Sequence, residues 1–273
     1  MDILIAILYG IVEGITEWLP VSSTGHMILL NSVLDFKNVS PDFFSMFEVV
    51  IQLGAILAVV VTFFQKLWPF RKYKGEIVPR PDVWHLWGLI IVACLPAAVI
   101  GVLFDDAIDA LFYHTIPVAL ALILVGVAFI YVEDRQRGME SVITSTQQFT
   151  WKTALIIGLF QVIAAVFPGT SRSGATIIGA LLIGVSRPCA AEFTFFLAVP
   201  VMLGASALKL LKFGLAFSLN EFVVLIVGCV VAYFVSMAAI KFLMDYVRKH
   251  DFKVFGYYRI ALGVLVLIFA RNL

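Results

Sequence analysis

The sequence predicts an all-α polytopic membrane protein, an inverted-topology repeat with six transmembrane helices and two re-entrant helical hairpins. Three observations predict it. The 273-residue chain is 62% hydrophobic and 14% charged, with a mean hydropathy of +1.04, whereas about a quarter of the residues in soluble domains are charged. Apolar stretches recur in the order short, short, long, long, long, and the order runs through twice. Ionisable and hydroxyl residues, costly at membrane depth, cluster at Glu13–His26 and again at Gln161–Thr176, at matching places in the two rounds.

Residues 3–19 are apolar but interrupted by Glu13 and Glu17, and they stop at Pro20. Residues 27–36 are too short to cross alone, since a crossing needs about 20 helical residues. Together they read as a hairpin over 3–36 that dips in and returns to its own side. Its irregular tip must be covered by protein or line a wet cavity. The spans Phe43–Phe64, Trp84–Phe104 and Thr115–Val132 complete a first repeat over 1–133. A second repeat over 151–273 opens with a hairpin over 151–186, made of Trp151–Phe167, Pro168 and Ser173–Val185. The spans Ala190–Leu208, Phe222–Ile240 and Val254–Ala270 follow, and both repeats belong to one integrated membrane domain. A constant offset of 148 carries Gly10 onto Gly158, Glu13 onto Gln161, Pro20 onto Pro168, Ser22 onto Thr170 and Ser23 onto Ser171. Three spans per half is an odd number, so the second half starts from the opposite side. Such folds place their site near the midplane, where broken helices meet.

Basic residues set the orientation. Lys66, Arg71, Lys72, Lys74, Arg80, Arg135, Arg137, Lys152, Arg187, Lys241, Arg248, Lys249 and Lys253 fall on one side. Lys37, Lys209, Lys212 and Arg271 fall on the other. The richer side is expected to be cytoplasmic, which places both termini and the entrance of the first hairpin outside. A net charge of +1 gives no reason to expect nucleic acid as a partner. Cys94, Cys189 and Cys229 stand singly in apolar runs and read as small buried hydrophobes. No lysine or arginine precedes Lys37, so the first apolar segment lacks the basic flank of a secretory signal and is expected to belong to the mature fold.

Each tip pairs a proline that ends one helix with hydroxyls that open the next: Ser22, Ser23 and Thr24, then Thr170, Ser171 and Ser173. A helix N-terminus offers unpaired N–H donors and partial positive charge, which suits phosphate. Arg172 fixes the ligand's sign, because its fork of donors matches phosphate oxygens; a structural ion pair with Glu13, Glu17 or Glu192 is the simpler use of it. Glu13 and Glu17 share a helix face and repel unless a proton, an arginine or a divalent cation intervenes. Oxygen ligands beside phosphate suit Mg²⁺ or Ca²⁺. His26 shares a face with Ser23, and a nucleophile, an acid/base and a hydrogen-bonded core histidine are its three readings.

Glu48, Gln52 and Glu192 read as partners that support the tips. Gly10, Gly14, Gly54, Gly204 and Gly228 read as close-packing positions. Arg259 reads as a snorkelling side chain at a span end, and Asp105, Asp106 and Asp109 as a solvated acidic loop.

The motifs Glu13-Gly-Ile-Thr-Glu17, Leu19-Pro-Val-Ser-Ser-Thr-Gly-His26 and Pro168-Gly-Thr-Ser-Arg172-Ser-Gly-Ala-Thr176 resemble those of the undecaprenyl-diphosphate phosphatase family, the bacitracin-resistance type. The resemblance covers nearly the whole chain. It implies a divalent-cation-dependent phosphatase of a bacterial inner membrane, open to the periplasm, that returns undecaprenyl diphosphate to the monophosphate carrier used in cell-wall synthesis. It further implies Glu17, Ser23, His26 and Arg172 as catalytic residues and leaves open which of Ser23 and His26 attacks; we assign Ser23 as attacking or holding the attacking water and His26 as acid/base. Glu13, Ser22, Thr24, Ser171, Ser173 and Thr176 would bind substrate, and Glu13 and Glu17 the metal. Implied partners are the isoprenoid diphosphate and membrane lipids, with a homodimer as one open assembly. Two other classes compete. A lipid-phosphate transporter or flippase could use the same pocket, but a pure transporter releases no phosphate in detergent. An intramembrane serine hydrolase using Ser23 and His26 would have no need of the arginine and carboxylate pair, and would ignore a chelator.

Overall fold

A computed structural model of the chain describes residues 1–34, 36–214 and 217–269, with the backbone alone at Pro41, Asp105, Asp106, Asp109 and Phe269. Among these residues the chain is helical almost throughout. The first hairpin is α1 (Asp2–Thr16) and α2 (Ser23–Asn31). There follow α3 (Pro41–Val50), α4 (Gln52–Thr62), the single turn α5 (Phe64–Leu67), strands β1 (Phe70–Tyr73) and β2 (Glu76–Pro79), α6 (Pro81–Phe112) and α7 (Thr115–Arg135). The second hairpin is α8 (Trp151–Val166) and α9 (Arg172–Leu182), followed by α10 (Arg187–Phe213), α11 (Leu219–Tyr246) and α12 (Lys253–Phe269).

Among the described residues, five stretches are long and apolar enough to cross a membrane: Asp42–Thr62, Pro81–Phe104, Thr115–Arg135, Arg187–Phe213 and Leu219–Tyr246. They match five of the six expected spans. The sixth corresponds to the 17-residue α12, and its expected last residue, Ala270, lies outside the described residues, as does Arg271. The first span is two helices meeting at Ile51, where the Gly54 amide turns back to the Ile51 carbonyl at 3.1 Å. A side chain is excluded at Gly54, since a Cβ there would stand 2.0 Å from the carbonyl oxygen of Cys229 on α11. Gly10 and Gly14 likewise bring α1 onto α11. Gly204 faces open space instead, so it is not a packing glycine. Asp105, Asp106 and Asp109 do not form a loop: their backbone continues α6, because no proline or glycine follows Phe104 to stop it.

The pairings set the frame. Helix α1 packs on α11 and α8 on α6; α4 packs on α11 and α6 on α10; α7 pairs with α12, and α3 and α4 with α10. The short helices α2 and α9 both touch α7. Each hairpin starts and finishes at one end of the bundle. Asp2, opening α1, accepts from the backbone amides of Lys37 and Asn38 just beyond α2, at 3.0 and 3.2 Å, and from Asn220 at the start of α11. At the other end of α10, the amides of Val142 and Ile143, preceding α8, donate to the Gly184 carbonyl just beyond α9. The hairpins thus enter from opposite ends.

Aromatic side chains fill the space around them. Tyr9, Phe36, Phe43 and Phe47 pack on α1 and α3, while Trp18, Phe129, Phe193, Phe195 and Phe196 pack around the inner tips. Cys94 and Cys189 are buried, Cys229 is half-buried, and all three are free thiols.

Candidate active site

At each tip the chain must turn and present a helix N-terminus. Ser22 and Ser171 do this identically. Both have left-handed backbone, at φ 73° and 69°, and both cap the following helix, their hydroxyls accepting from the amides of Gly25 and Gly174 at 3.4 and 3.2 Å. A non-glycine residue in this region costs about 1–3 kcal/mol and persists where the surroundings over-determine it. The equivalent serines correct the constant offset: Ser171 answers to Ser22, not Ser23, because the second tip holds one more residue after its proline. Arg172 therefore stands in the place of Ser23. First-turn amides of both short helices have no intrahelical carbonyl to bind.

Glu17 joins the tips. Its Oε2 accepts from Ser23 Oγ at 3.0 Å, and its Oε1 accepts from Arg172 Nη2 at 3.0 Å. The Arg172–Glu17 pair is shielded, with side-chain exposures of 12% and 9%. Arg172 Nη1 donates to the Thr194 carbonyl at 2.8 Å, while its buried Nε has no partner. Ser173 donates to the Glu17 carbonyl at 3.3 Å and pairs with Ser171 at 3.0 Å. Thr176, fully buried, pairs with the Thr194 hydroxyl at 2.9 Å. Glu17, Ser23, Arg172, Ser171, Ser173 and Thr176 therefore belong to one connected network, and Ser22 caps its edge. Thr24 is half-buried on the first turn of α2.

Glu13 is buried, at 1% exposure, and lies within electrostatic reach of Glu17, Glu48 and Arg172. Its Oε1 has no hydrogen-bond partner. Among the described residues no three His, Cys, Asp or Glu side chains gather into a metal cage. The unpartnered Glu13 oxygen and the nearby Glu17 carboxylate are oxygen donors of the kind a hard divalent cation would use.

His26 faces away from this chain of contacts. Nδ1 lies 2.7 Å from the Ser22 carbonyl, which can only accept, so Nδ1 carries the hydrogen in the neutral ring. Nε2 lies 2.7 Å from the Tyr258 hydroxyl, and the two rings stack at 5.7 Å.

Three contributors were not anticipated. Thr194 offers its carbonyl to Arg172 and its hydroxyl to Thr176, and Tyr258 meets His26. Arg259 does not snorkel. It is fully buried and donates to the carbonyls of Pro20 at 3.2 Å and of Gly169 and Thr170, both at 2.8 Å. One guanidinium thus ties the two tips together, satisfying carbonyls that a helix break leaves open. An arginine within an apolar run signals that it needs a partner, but not which one. Glu192 pairs with Lys66 at 2.6 Å and not with Arg172, whose ion-pair partner is Glu17, because it lies in the first turns of α10, beside the residues that follow the first span. Two cavities, of about 380 and 280 Å³, open at the far end of α9 and beside the 63–80 segment, away from the tips.

The chain is similar to an undecaprenyl-diphosphatase of Desulfitobacterium hafniense, at 57% identity covering 98% of this chain and 96% of the relative. A protein of the same name from Enterococcus faecalis is 56% identical, covering 98% and 97%, and one from Streptococcus sanguinis is 53% identical, covering 99% and 96%. The family model described as bacitracin resistance protein BacA matches residues 6–265, so the match takes in both tips and the arginine that ties them: the chain belongs to the BacA family of bacitracin resistance proteins.

Proposed function

We propose that this chain is a membrane phosphatase that hydrolyses undecaprenyl diphosphate to undecaprenyl phosphate and inorganic phosphate. The observation that carries the reading is the Ser23–Glu17–Arg172 relay linking the two tips. The terminal phosphoryl group lodges against the first-turn amides of α2 and α9 and the unpartnered Arg172 Nε. As its oxygens draw Arg172 toward themselves, Glu17 loses part of its counter-charge and becomes a stronger base. Ser23 Oγ attacks the terminal phosphorus, its proton passes to Glu17 Oε2, and the bridging P–O bond breaks with its electron pair leaving on undecaprenyl phosphate. Water then cleaves the phosphoserine, releasing inorganic phosphate. In the variant route Ser23 and Glu17 hold the water that attacks directly. As an acid/base His26 would work through Nε2, the ring nitrogen that is free of hydrogen while Nδ1–H donates to the Ser22 carbonyl and that accepts from the Tyr258 hydroxyl. Positioning and charge supply most of the rate in phosphoryl transfer. A divalent cation, Mg²⁺ or Ca²⁺, held by Glu13 and Glu17 would neutralise phosphate charge when bound.

The architecture we propose for this chemistry is the six-span inverted repeat, with halves 1–133 and 151–273. Exchanging the halves turns the α1–α11 pairing into α8–α6 and α4–α11 into α10–α6, and the contacts respect that exchange. The basic end lies in the cytoplasm of a bacterium, so the first hairpin and both termini face the periplasm and the site opens to that side. Hairpins entering from opposite ends also suit a transporter or flippase of lipid phosphates.

Phosphate release from the lipid diphosphate by purified protein in detergent, with no gradient, separates the two. Near-parental release by both Glu17→Ala and Arg172→Ala would remove the site assignment, and absence of any release from the parental chain would favour transport.

A further inference from the structure

Residues 63–80 join the span ending at Thr62 to the span opening at Pro81. Their strands pair antiparallel with Phe70 opposite Pro79, Arg71 opposite Val78, Lys72 opposite Ile77 and Tyr73 opposite Glu76. The turn between them, Lys74-Gly75, has positive φ at both residues, 49° and 92°, as a tight hairpin of the right twist requires. Every strand residue except Val78 is exposed. A two-stranded hairpin open on both faces is marginal in water, so a further phase must support this one.

Two features identify that phase. The first is an aromatic strip: Phe64 stacks on Trp68 at 5.2 Å, Trp68 meets Phe70 at 6.0 Å, and Phe70 meets Trp84 at 6.0 Å. All four rings are exposed, and the strip runs unbroken from the end of one span to the start of the next. Aromatic side chains of this kind settle at the membrane–water interface. The second is charge. Arg71, Lys72 and Lys74 are opposed within the hairpin by Glu76 alone, and among the described residues they form no ion pair. Arg71 and Lys74 lie over the Tyr73 ring, at 6.0 and 5.5 Å from its centroid. Strands this short extend roughly 13 Å, and spans tether both ends, so the hairpin stays within the headgroup layer.

We propose that the hairpin is a binding surface for anionic phospholipid, with Phe64, Trp68, Phe70 and Trp84 at the acyl boundary and Arg71, Lys72 and Lys74 on headgroup phosphates. An acidic protein partner would leave the aromatic strip in water, which favours the bilayer as occupant. The proposal needs the membrane reading of the spans and is independent of the chemistry at the tips.

The test places the full chain in nanodiscs of phosphatidylcholine alone or with phosphatidylglycerol and follows amide hydrogen exchange over 70–79. A basic residue near an anionic surface contributes roughly fivefold, so three should slow exchange by at least about tenfold in the phosphatidylglycerol discs. High salt and the triple change Arg71→Glu, Lys72→Glu, Lys74→Glu should abolish the slowing, with phosphate release in detergent unchanged. Should the triple variant fail to fold, Lys72→Gln and the salt titration of the parental chain carry the same expectation in smaller steps. Equal exchange in both discs overturns the proposal, as does protection that survives salt. So does equal protection by free phosphate in phosphatidylcholine discs, or by polyglutamate in detergent where phosphatidylglycerol discs give none.

Discussion

Glu17 holds Ser23 with one oxygen and Arg172 with the other, so its two oxygens are not interchangeable in consequence. Glu17→Gln keeps the size but loses the basic oxygen, and phosphate release should fall by about 10²–10³, the range for removing one preorganised electrostatic partner. Arg172→Lys keeps charge but cannot reach both Glu17 and the Thr194 carbonyl, so a fall of similar size is expected, measured as kcat on the lipid diphosphate. Ser22→Gly should lose less than Arg172→Ala, because glycine relieves the strained backbone while giving up one cap. Arg259→Met makes a different prediction. It leaves the carbonyls of Pro20, Gly169 and Thr170 without their donor, at about 1–3 kcal/mol for each buried unpaired group. The thermal unfolding midpoint in detergent should drop along with activity, whereas Glu17→Gln should lower activity with little change in midpoint.

At the scale of elements, what matters is how close the backbones come. Helix α4 rests on α11 through Gly54, where an added Cβ would stand 2.0 Å from the Cys229 carbonyl oxygen. Gly54→Ala should therefore destabilise by about 1–3 kcal/mol, the usual cost of overpacking. Gly204→Ala, with nothing within 4 Å of its added Cβ, should leave the midpoint unchanged or raise it slightly. Thermal melts of the two variants side by side check the contrast. The hairpins show the same economy of geometry. Proline ends each first helix, a left-handed serine caps each second one, and the extra residue at the second tip brings Arg172 to the position that Ser23 holds at the first.

For the molecule as a whole, the two predictions concern orientation and metal. A cysteine placed in the 70–80 segment should resist a membrane-impermeant thiol reagent applied outside intact cells, and one placed at 37–40 should react. Chelation with EDTA should abolish phosphate release, and Mg²⁺ or Ca²⁺ should restore it. Much of the frame behind these predictions is visible in the chain itself. Apolar stretches interrupted at Glu13–Pro20 and Gln161–Pro168 announce two broken hairpins, because a helix interior excludes proline and the bilayer excludes unpaired charge. Hydroxyls after each proline announce the caps. The β-hairpin over 70–79 escaped notice because basic residues mask the alternation of a four-residue strand. Arg259 escaped its role because a side chain at a span end and one reaching inward have the same sequence signature.

The sequence by itself determined the helical membrane class, the two tips and which residues stand on them, since helix breaks and burial penalties are local and read residue by residue. Tertiary structure alone decided that Glu17 bridges Ser23 to Arg172, that His26 turns to Tyr258, and that Arg259 clasps both tips. Apart from the local Ser23–Glu17 bond, those contacts join residues 89 or more positions apart, and partners at such separations are chosen by how helices pack, which no local pattern encodes.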